Sequence, residues 1–174
     1  NILAITNGDN ELVNLIYGSD YENTFQYVHN VVISADGDFY VHDKSFDENR
    51  STAVSERIIK FSKHGKNREV IFEADYTNDN NEGTVYIDYI TFIDDVLHFA
   101  IIKDNGIEIN KYESGKVTIC STFDIENAYL HVRCCAFNSE NGIMVVHTNG
   151  DVYYYEDSKI ECKFDARKHD NDEY

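Results

Sequence analysis

The amino-acid sequence predicts an all-β protein built from repeated, antiparallel, four-stranded units. Three observations predict this class: many strand-forming aromatic residues, short apolar segments bounded by turn residues, and similar turns that recur at a regular spacing. The 174 residues include 13 Tyr and 10 Phe but no Trp and no Pro. Tyr and Phe pack well on pleated, half-buried surfaces, and without Pro the turns depend on Gly, Asn and Asp. The length fits one domain or part of a larger protein.

The first complete unit is predicted over residues 27–74. Its strands are predicted at 31–35, 38–42, 57–61 and 68–73. Asp36 and Gly37 separate the first two strands and form a strong β-hairpin signal, because this dipeptide suits the tight turns of hairpins. The polar segment 49–56, which precedes the third strand, is predicted to be a loop.

Two further units follow along the chain. Their strands are predicted at 86–93, 96–102, 107–112 and 117–123, and then at 130–137, 143–148, 151–155 and 159–164. The last hairpins of the three units have similar turns, SKHGK, ESGK and EDSK, spaced about 50 and then about 43 residues apart, which is close to the length of one β-propeller blade.

An additional hairpin at the N-terminus, with strands at 2–6 and 11–17, supplies half a unit. The sequence therefore predicts a single all-β domain of blade-like repeats, an incomplete β-propeller. Its parts are a half blade at 1–20, blades at about 27–74, 85–124 and 129–165, and a disordered tail at 166–174.

The amino-acid sequence of the first unit resembles the repeats of a known family. The segments ISADGDFYV at 33–41 and ERIIKFSKHGKNREVIF at 56–72 are similar to NHL-type and related six-bladed propeller repeats, in which D-G and an apolar strand lead to R-I-x-K-F-x-x-x-G. The resemblance implies a propeller fold and extends only faintly over 86–123 and 130–164. The second unit departs from the pattern, because Asp94 and Asp95 replace the D-G turn.

Three and a half units do not close a ring, since propellers have about 4–8 blades. Three arrangements are open: part of a longer propeller, a ring completed by another chain, or an open stack or sandwich. A cut array of repeats exposes strand edges, so we expect self-association, missing blades, or an edge covered by the C-terminal tail.

The net charge of −17, from 32 acidic and 15 basic residues, restricts the partners. Nucleic acid is excluded by this charge, because phosphates are repelled, and no apolar run is long enough for membrane insertion. We expect a soluble protein whose partner is a protein or a small molecule, basic or cationic. The compartment stays open, because the chain begins directly on a predicted strand and a targeting segment could have been removed.

Four residues are candidates for ligand binding. His29 and His131 fall near the start of the first strand of their units, which in a propeller lines the central channel; Asp36 and Asp38 flank the first hairpin turn. Imidazoles can bind transition metals, and paired carboxylates can act as acid and base. A hydrogen-bonded histidine and a turn-forming Asp are the commoner explanations.

The loop 75–83 is a candidate for a calcium site. It holds Asp75, Asp79 and Glu82, and calcium prefers such crowded oxygen ligands. The ordered D-x-D-x-D-G spacing with a distal Glu is missing, so a solvated linker explains the loop as well. No cofactor is predicted from the sequence, and calcium is possible.

The sequence contains none of the standard catalytic motifs. Its four cysteines show no C-x-x-C spacing, and Cys135 is interpreted as a small apolar core residue. We therefore predict no catalytic residues and a non-catalytic ligand- or protein-binding scaffold module, such as a sensor domain of a larger protein. The alternative is a propeller hydrolase, either carbohydrate-active or metal-dependent and lactonase-like, with acidic residues and histidines at the channel mouth.

Overall fold

The computed structural model confirms an all-β fold of antiparallel, four-stranded, blade-like sheets. It describes residues 2–6, 9, 11–17, 25–47, 53–65, 67–75, 85–157 and 159–166. The chain divides into two compact units, Asn1–Asp79 and Asn80–Tyr174. Among the described residues, no helix has the length and apolar character needed to cross a bilayer.

The first unit contains a two-stranded hairpin and one four-stranded sheet. The hairpin strands are β1 (Ile2–Thr6) and β2 (Leu12–Tyr17). The sheet consists, in spatial order, of β3 (Tyr27–Ile33), β4 (Phe39–Phe46), β5 (Ala53–Phe61) and β6 (Arg68–Asp75). The core lies on the two middle strands, where Phe39 stacks on its register partner Phe61 with ring centroids 5.1 Å apart. The fully buried Phe25 meets Phe61 edge-on.

The second unit contains two four-stranded sheets and one short helix. The first sheet consists of β7 (Tyr86–Ile93), β8 (Val96–Lys103), β9 (Gly106–Glu113) and β10 (Lys116–Asp124). The helix α1 (Ala128–His131) follows, and then the second sheet with β11 (Val132–Ala136), β12 (Gly142–His147), β13 (Val152–Glu156) and β14 (Lys159–Phe164). Ile107 and Ile109 of the first sheet share a buried core with Ile143 and Val145 of the second.

The three four-stranded sheets carry irregularities at corresponding places. In each sheet the register skips residues in the first strand and again in the fourth. The skipped residues of the fourth strands are Ile71, Cys120 and Lys163. A β-bulge bends its strand and increases the local twist, so the shared positions indicate one repeated structural unit.

The turn that departs from the D-G pattern is nonetheless a tight hairpin turn. Asp94 and Asp95 both adopt left-handed backbone conformations, with φ of 48° and 61°. Turns of this type need positive φ at both central positions, and Asp tolerates that conformation better than most residues. The replacement of Gly by Asp therefore preserves the hairpin between β7 and β8.

Several predicted strand bounds differ from the structure: β3 begins at Tyr27 and not at 31, and β4 ends at Phe46 and not at 42. Strand β5 begins at Ala53, within the segment 49–56 that was predicted to be a loop, and its polar residues Ser55 and Glu56 are buried. The third unit was predicted to start with a strand at 130, but α1 extends to His131 and β11 begins at Val132. The helix is tied to the preceding sheet, because the N–H of Ala128 donates to the carbonyl of Asp104 at 2.8 Å.

The single repeat domain and its boundaries stay a prediction. Most of the predicted disordered tail, residues 167–174, lies outside the described residues. Ala166 is described, and its N–H donates to Asp151 Oδ1 at 2.9 Å. This contact connects the end of the last sheet to the loop between β12 and β13.

A buried carboxylate stabilises the sheet of the first unit. Asp43 of β4 has an exposed fraction of 0%. Its Oδ1 accepts hydrogen bonds from the N–H groups of Gln26 and Tyr27, both at 2.7 Å, and its Oδ2 pairs with Arg57 of β5. Asp43 therefore connects three strands, because Tyr27 begins β3.

We predict that Asp43→Asn destabilises the protein by about 3 kcal/mol or more, because the change removes the buried charge that pairs with the Arg57 guanidinium and breaks a buried ion pair. Urea unfolding followed by circular dichroism measures the change. The matched variant Asp36→Asn makes the same replacement in an exposed turn and should unfold like the parent. Equal unfolding midpoints for the two variants would show that the Asp43 contacts do not stabilise the fold.

Candidate functional site

The predicted ligand residue His29 lies in the first unit, at the bulge of β3. Its ring is exposed and stacks on the ring of the buried His42, with centroids 5.0 Å apart. Partial desolvation, and then the neighbouring His42, lower the pKa of His29. His42 in turn contacts Glu56 Oε2 through Nε2 at 3.2 Å. His29 thus caps a buried polar pair.

Asp36 and Asp38 lie in the turn between β3 and β4. Asp36 is exposed. Asp38 accepts a hydrogen bond from the N–H of Lys63 at 3.2 Å and pairs with Lys60 Nζ at 3.1 Å. The hydrogen bond between the Asp38 and Lys60 side chains raises the pKa of Lys60. The contacts of Asp38 join two neighbouring hairpins, which is a structural role.

His131 ends helix α1 in the second unit and is exposed. Its carbonyl accepts a hydrogen bond from the N–H of Thr148 at 2.7 Å. His29, Asp36 and Asp38 belong to the first unit, so a joint site with His131 stays a prediction.

The predicted calcium loop is almost wholly outside the described residues. Asp79 and Glu82 lie there, and of Asp75 only the backbone is described, at the end of β6. Calcium binding by these three residues stays a prediction.

A different cluster appears at the hairpin-turn end of the second unit. It is formed by His98 of β8, Cys120 of β10 and Glu140 of the loop between β11 and β12. The Nδ1 or Nε2, Sγ and carboxylate oxygen of these residues all lie within 4.8 Å of one another. This set combines a nitrogen, a sulfur and an oxygen donor, which together suit a transition metal ion.

His98 is the buried member of the cluster. Only 2% of the residue is exposed, although it lies in the apolar strand β8. Nδ1 lies 2.9 Å from the carbonyl of Val96, and Nε2 lies 3.0 Å from Glu140 Oε1. A carbonyl can only accept, so Nδ1 carries a proton and Nε2 is directed at the carboxylate.

Glu140 and Cys120 complete the cluster. Lys111 Nζ lies 3.4 Å from Glu140 Oε1, and the side chain of His98, followed by Lys111, lowers the pKa of Glu140. Burial, and then the charge of Glu140, raise the pKa of the Cys120 thiol. The thiol is therefore protonated near neutral pH, and the carboxylate is charged.

The cluster could not be identified in the sequence by motif. Its members are separated by about twenty residues each and come from two sheets, so no short spacing marks them. One signal was present: His98 interrupts the apolar run VLHFAII of β8. A histidine there must be buried and partnered.

All four cysteines are free thiols, and Cys135 is buried as predicted. Asp88 of β7 accepts a hydrogen bond from the N–H of Cys135 in β11. A second carboxylate, Asp151, is buried and accepts from Asn149 Nδ2 and the N–H of Ala166, both at 2.9 Å. These acids of the second unit therefore pair with backbone or amide donors.

No protein-family model matches the sequence, and neither a curated protein nor a solved structure matches it significantly.

One histidine outside the cluster couples stability to pH. His147 of β12 meets Tyr153 edge-on at 4.9 Å, and within the described part of the chain its Nε2 is buried without a hydrogen-bond partner. Burial lowers the pKa of His147, the charge of Asp151 partly offsets this effect, and that of His131 adds to it. The folded protein therefore keeps this ring neutral at a pH where the unfolded chain protonates it.

We predict that His147→Phe reduces the loss of stability between pH 7.5 and pH 5.5. For a lowered histidine pKa, stability falls as the pH drops below about 6.5, the value in an unfolded chain, until the folded-state pKa is reached. Urea midpoints of parent and variant at both pH values measure the difference. Identical losses in the two proteins would contradict the prediction.

Proposed function

We propose that this chain is a non-catalytic binding and scaffold module whose hairpin-turn end holds a basic protein segment or a cationic ligand. The position of the acidic turns in the second unit is the main support for this proposal. Successive antiparallel strands reverse direction, so the first and third turns of each sheet lie at the same end. Five exposed acidic residues lie at or beside these turns: Asp94, Asp95, Glu113, Glu156 and Asp157.

These carboxylates lie at tight hairpin turns. Asp94, Asp95 and Asp157 all have positive φ, as expected of tight hairpin turns. Lys116 and Lys159 lie at the same end, so both signs occur with an excess of carboxylates. Negative potential on such a surface attracts basic partners and increases their rate of association. The net charge of −17 acts in the same direction.

We further propose that the sheets are blades of an NHL-like propeller that self-associates or is completed by additional blades. The bulges at corresponding places in all three sheets support the common origin of the blades. The outer strand β14 is exposed at all six residues, including Ile160 at 63% and Phe164 at 41%. An exposed strand with apolar side chains is a template for further strand pairing.

We predict that Asp94→Asn/Asp95→Asn weakens binding of a short, fluorescently labelled oligolysine peptide by about fivefold at low salt, the size expected for losing two solvent-screened contacts. Asn is also compatible with the left-handed turn positions. Fluorescence anisotropy titrations measure the dissociation constants.

The control is Asp124→Asn/Glu126→Gln, which removes the same charge where β10 ends, at the other end of the sheet. It should leave peptide binding within about twofold of the parent. Equal weakening by both double variants would mean that only net charge matters. That result, or a parent that does not bind the peptide, would refute the proposed surface.

A further inference from the structure

We propose that His98, Cys120 and Glu140 form a binding site for a transition metal ion of the zinc type. This proposal is independent of the peptide-binding surface, since it depends only on the three side chains and the groups that hold them.

The orientation of His98 suits a metal ligand. Its Nδ1–H donates to the carbonyl of Val96 at 2.9 Å, so Nε2 is the nitrogen that can bind an ion. Nε2 lies 3.0 Å from Glu140 Oε1, which can only accept, so in this arrangement Nε2 carries a proton that the ion would replace. Metal-binding histidines commonly fix the second ring nitrogen in this way through a backbone carbonyl. Because the residue is 2% exposed, packing holds the ring in place.

The bulge in β10 places Cys120 at the site. The register passes from Ile119, opposite Asn110, to Ser121, opposite Ile109, and skips Cys120. In a regular strand, neighbouring side chains point to opposite faces. Here Cys120 Sγ lies beside the Glu140 carboxylate, and Ser121 Oγ donates to the Glu140 carbonyl. The bulge therefore directs two successive side chains to one loop.

The loop that carries Glu140 is held at several points. Besides the contact with Ser121, its neighbour Asn141 accepts a hydrogen bond from the N–H of Asp157 at 3.2 Å. The side chain of Glu140 is 42% exposed. An ion can therefore reach the site from solvent, and a water molecule can supply a fourth ligand.

The size of the cluster fits zinc. Bond lengths of about 2.0–2.1 Å to nitrogen, 2.0–2.2 Å to oxygen and 2.3 Å to sulfur place tetrahedral ligand atoms about 3.3–3.8 Å apart. The three donor atoms already lie within 4.8 Å of one another. A contraction of about 1 Å, within the reach of the exposed Glu140 side chain, would complete the geometry.

Lys111 competes with the ion for Glu140. Its Nζ lies 3.4 Å from Glu140 Oε1 and 3.9 Å from Glu113 Oε2. Metal binding would displace the ammonium group of Lys111 from Glu140 and release two protons to solvent, one from the Cys120 thiol and one from His98 Nε2. Because Glu113 remains as a partner, Lys111 can move without losing its ion pair.

Titration of zinc alone into the reduced, chelator-treated full chain, followed by calorimetry, tests the site. We expect one ion per chain. Cys120→Ser and Glu140→Gln should each weaken binding by about tenfold or more, and Cys162→Ser, which changes an exposed thiol on β14, should leave it unchanged. With Co²⁺, the parent and Cys162→Ser should show a thiolate-to-cobalt charge-transfer band that Cys120→Ser lacks.

Lys111→Gln should bind zinc more tightly than the parent, because the competing ammonium group is removed. Both ligand variants are conservative, and circular dichroism verifies that they fold. The proposal is overturned by a parent without saturable zinc binding, or by equal affinities of Cys120→Ser and Cys162→Ser. Loss of oligolysine binding would leave it intact.

Discussion

The middle strands of the sheets impose the constraint on which the rest of the structure depends. Residues Leu97–Ile102 of β8 are buried without interruption, and Phe39–Asp43 of β4 are buried in the same way. A polar side chain on such a strand loses its water, so it must find a partner or reduce stability. Most polar contacts between strands and sheets described above follow from this requirement.

The sheets β3–β6 and β7–β10 provide partners for their buried polar side chains in different ways. In the first unit, Glu56 of β5 contacts His42 of β4 at 3.2 Å, and its register partner Lys44 reaches the same carboxylate at 3.4 Å. All three residues belong to one pair of strands, so these contacts lie within one sheet. In the second unit, His98 finds Glu140 in a loop of the neighbouring sheet. The same constraint therefore joins two sheets, and the bulge in β10 brings Cys120 to their junction.

The features that depend on local sequence patterns could be predicted from the sequence. The hairpin at Asp36 and Gly37, the alternation of the strands and the turn spacing were sufficient for the fold class, and β14 has its predicted bounds. Strand β5 was predicted too short because Ser55 and Glu56 look like loop residues. They are buried in contacts with Glu73 and His42, which lie diagonally across the neighbouring strands, and such contacts are invisible without the register. The cluster of His98 was unpredictable for the same reason, since a one-residue bulge decides where Cys120 points.

The bulges also explain how repeats of one design can differ in chemistry. A bulge leaves one residue outside the ladder, so its side chain is not constrained by a cross-strand partner. The three fourth strands place Ile71, Cys120 and Lys163 at this position, which are an apolar, a thiol and a basic side chain. Backbone pairing on either side is retained in each sheet. The repeat can therefore change the residue at the bulge with little effect on the fold. In the sheet β7–β10 that residue, Cys120, lies beside a histidine and a carboxylate.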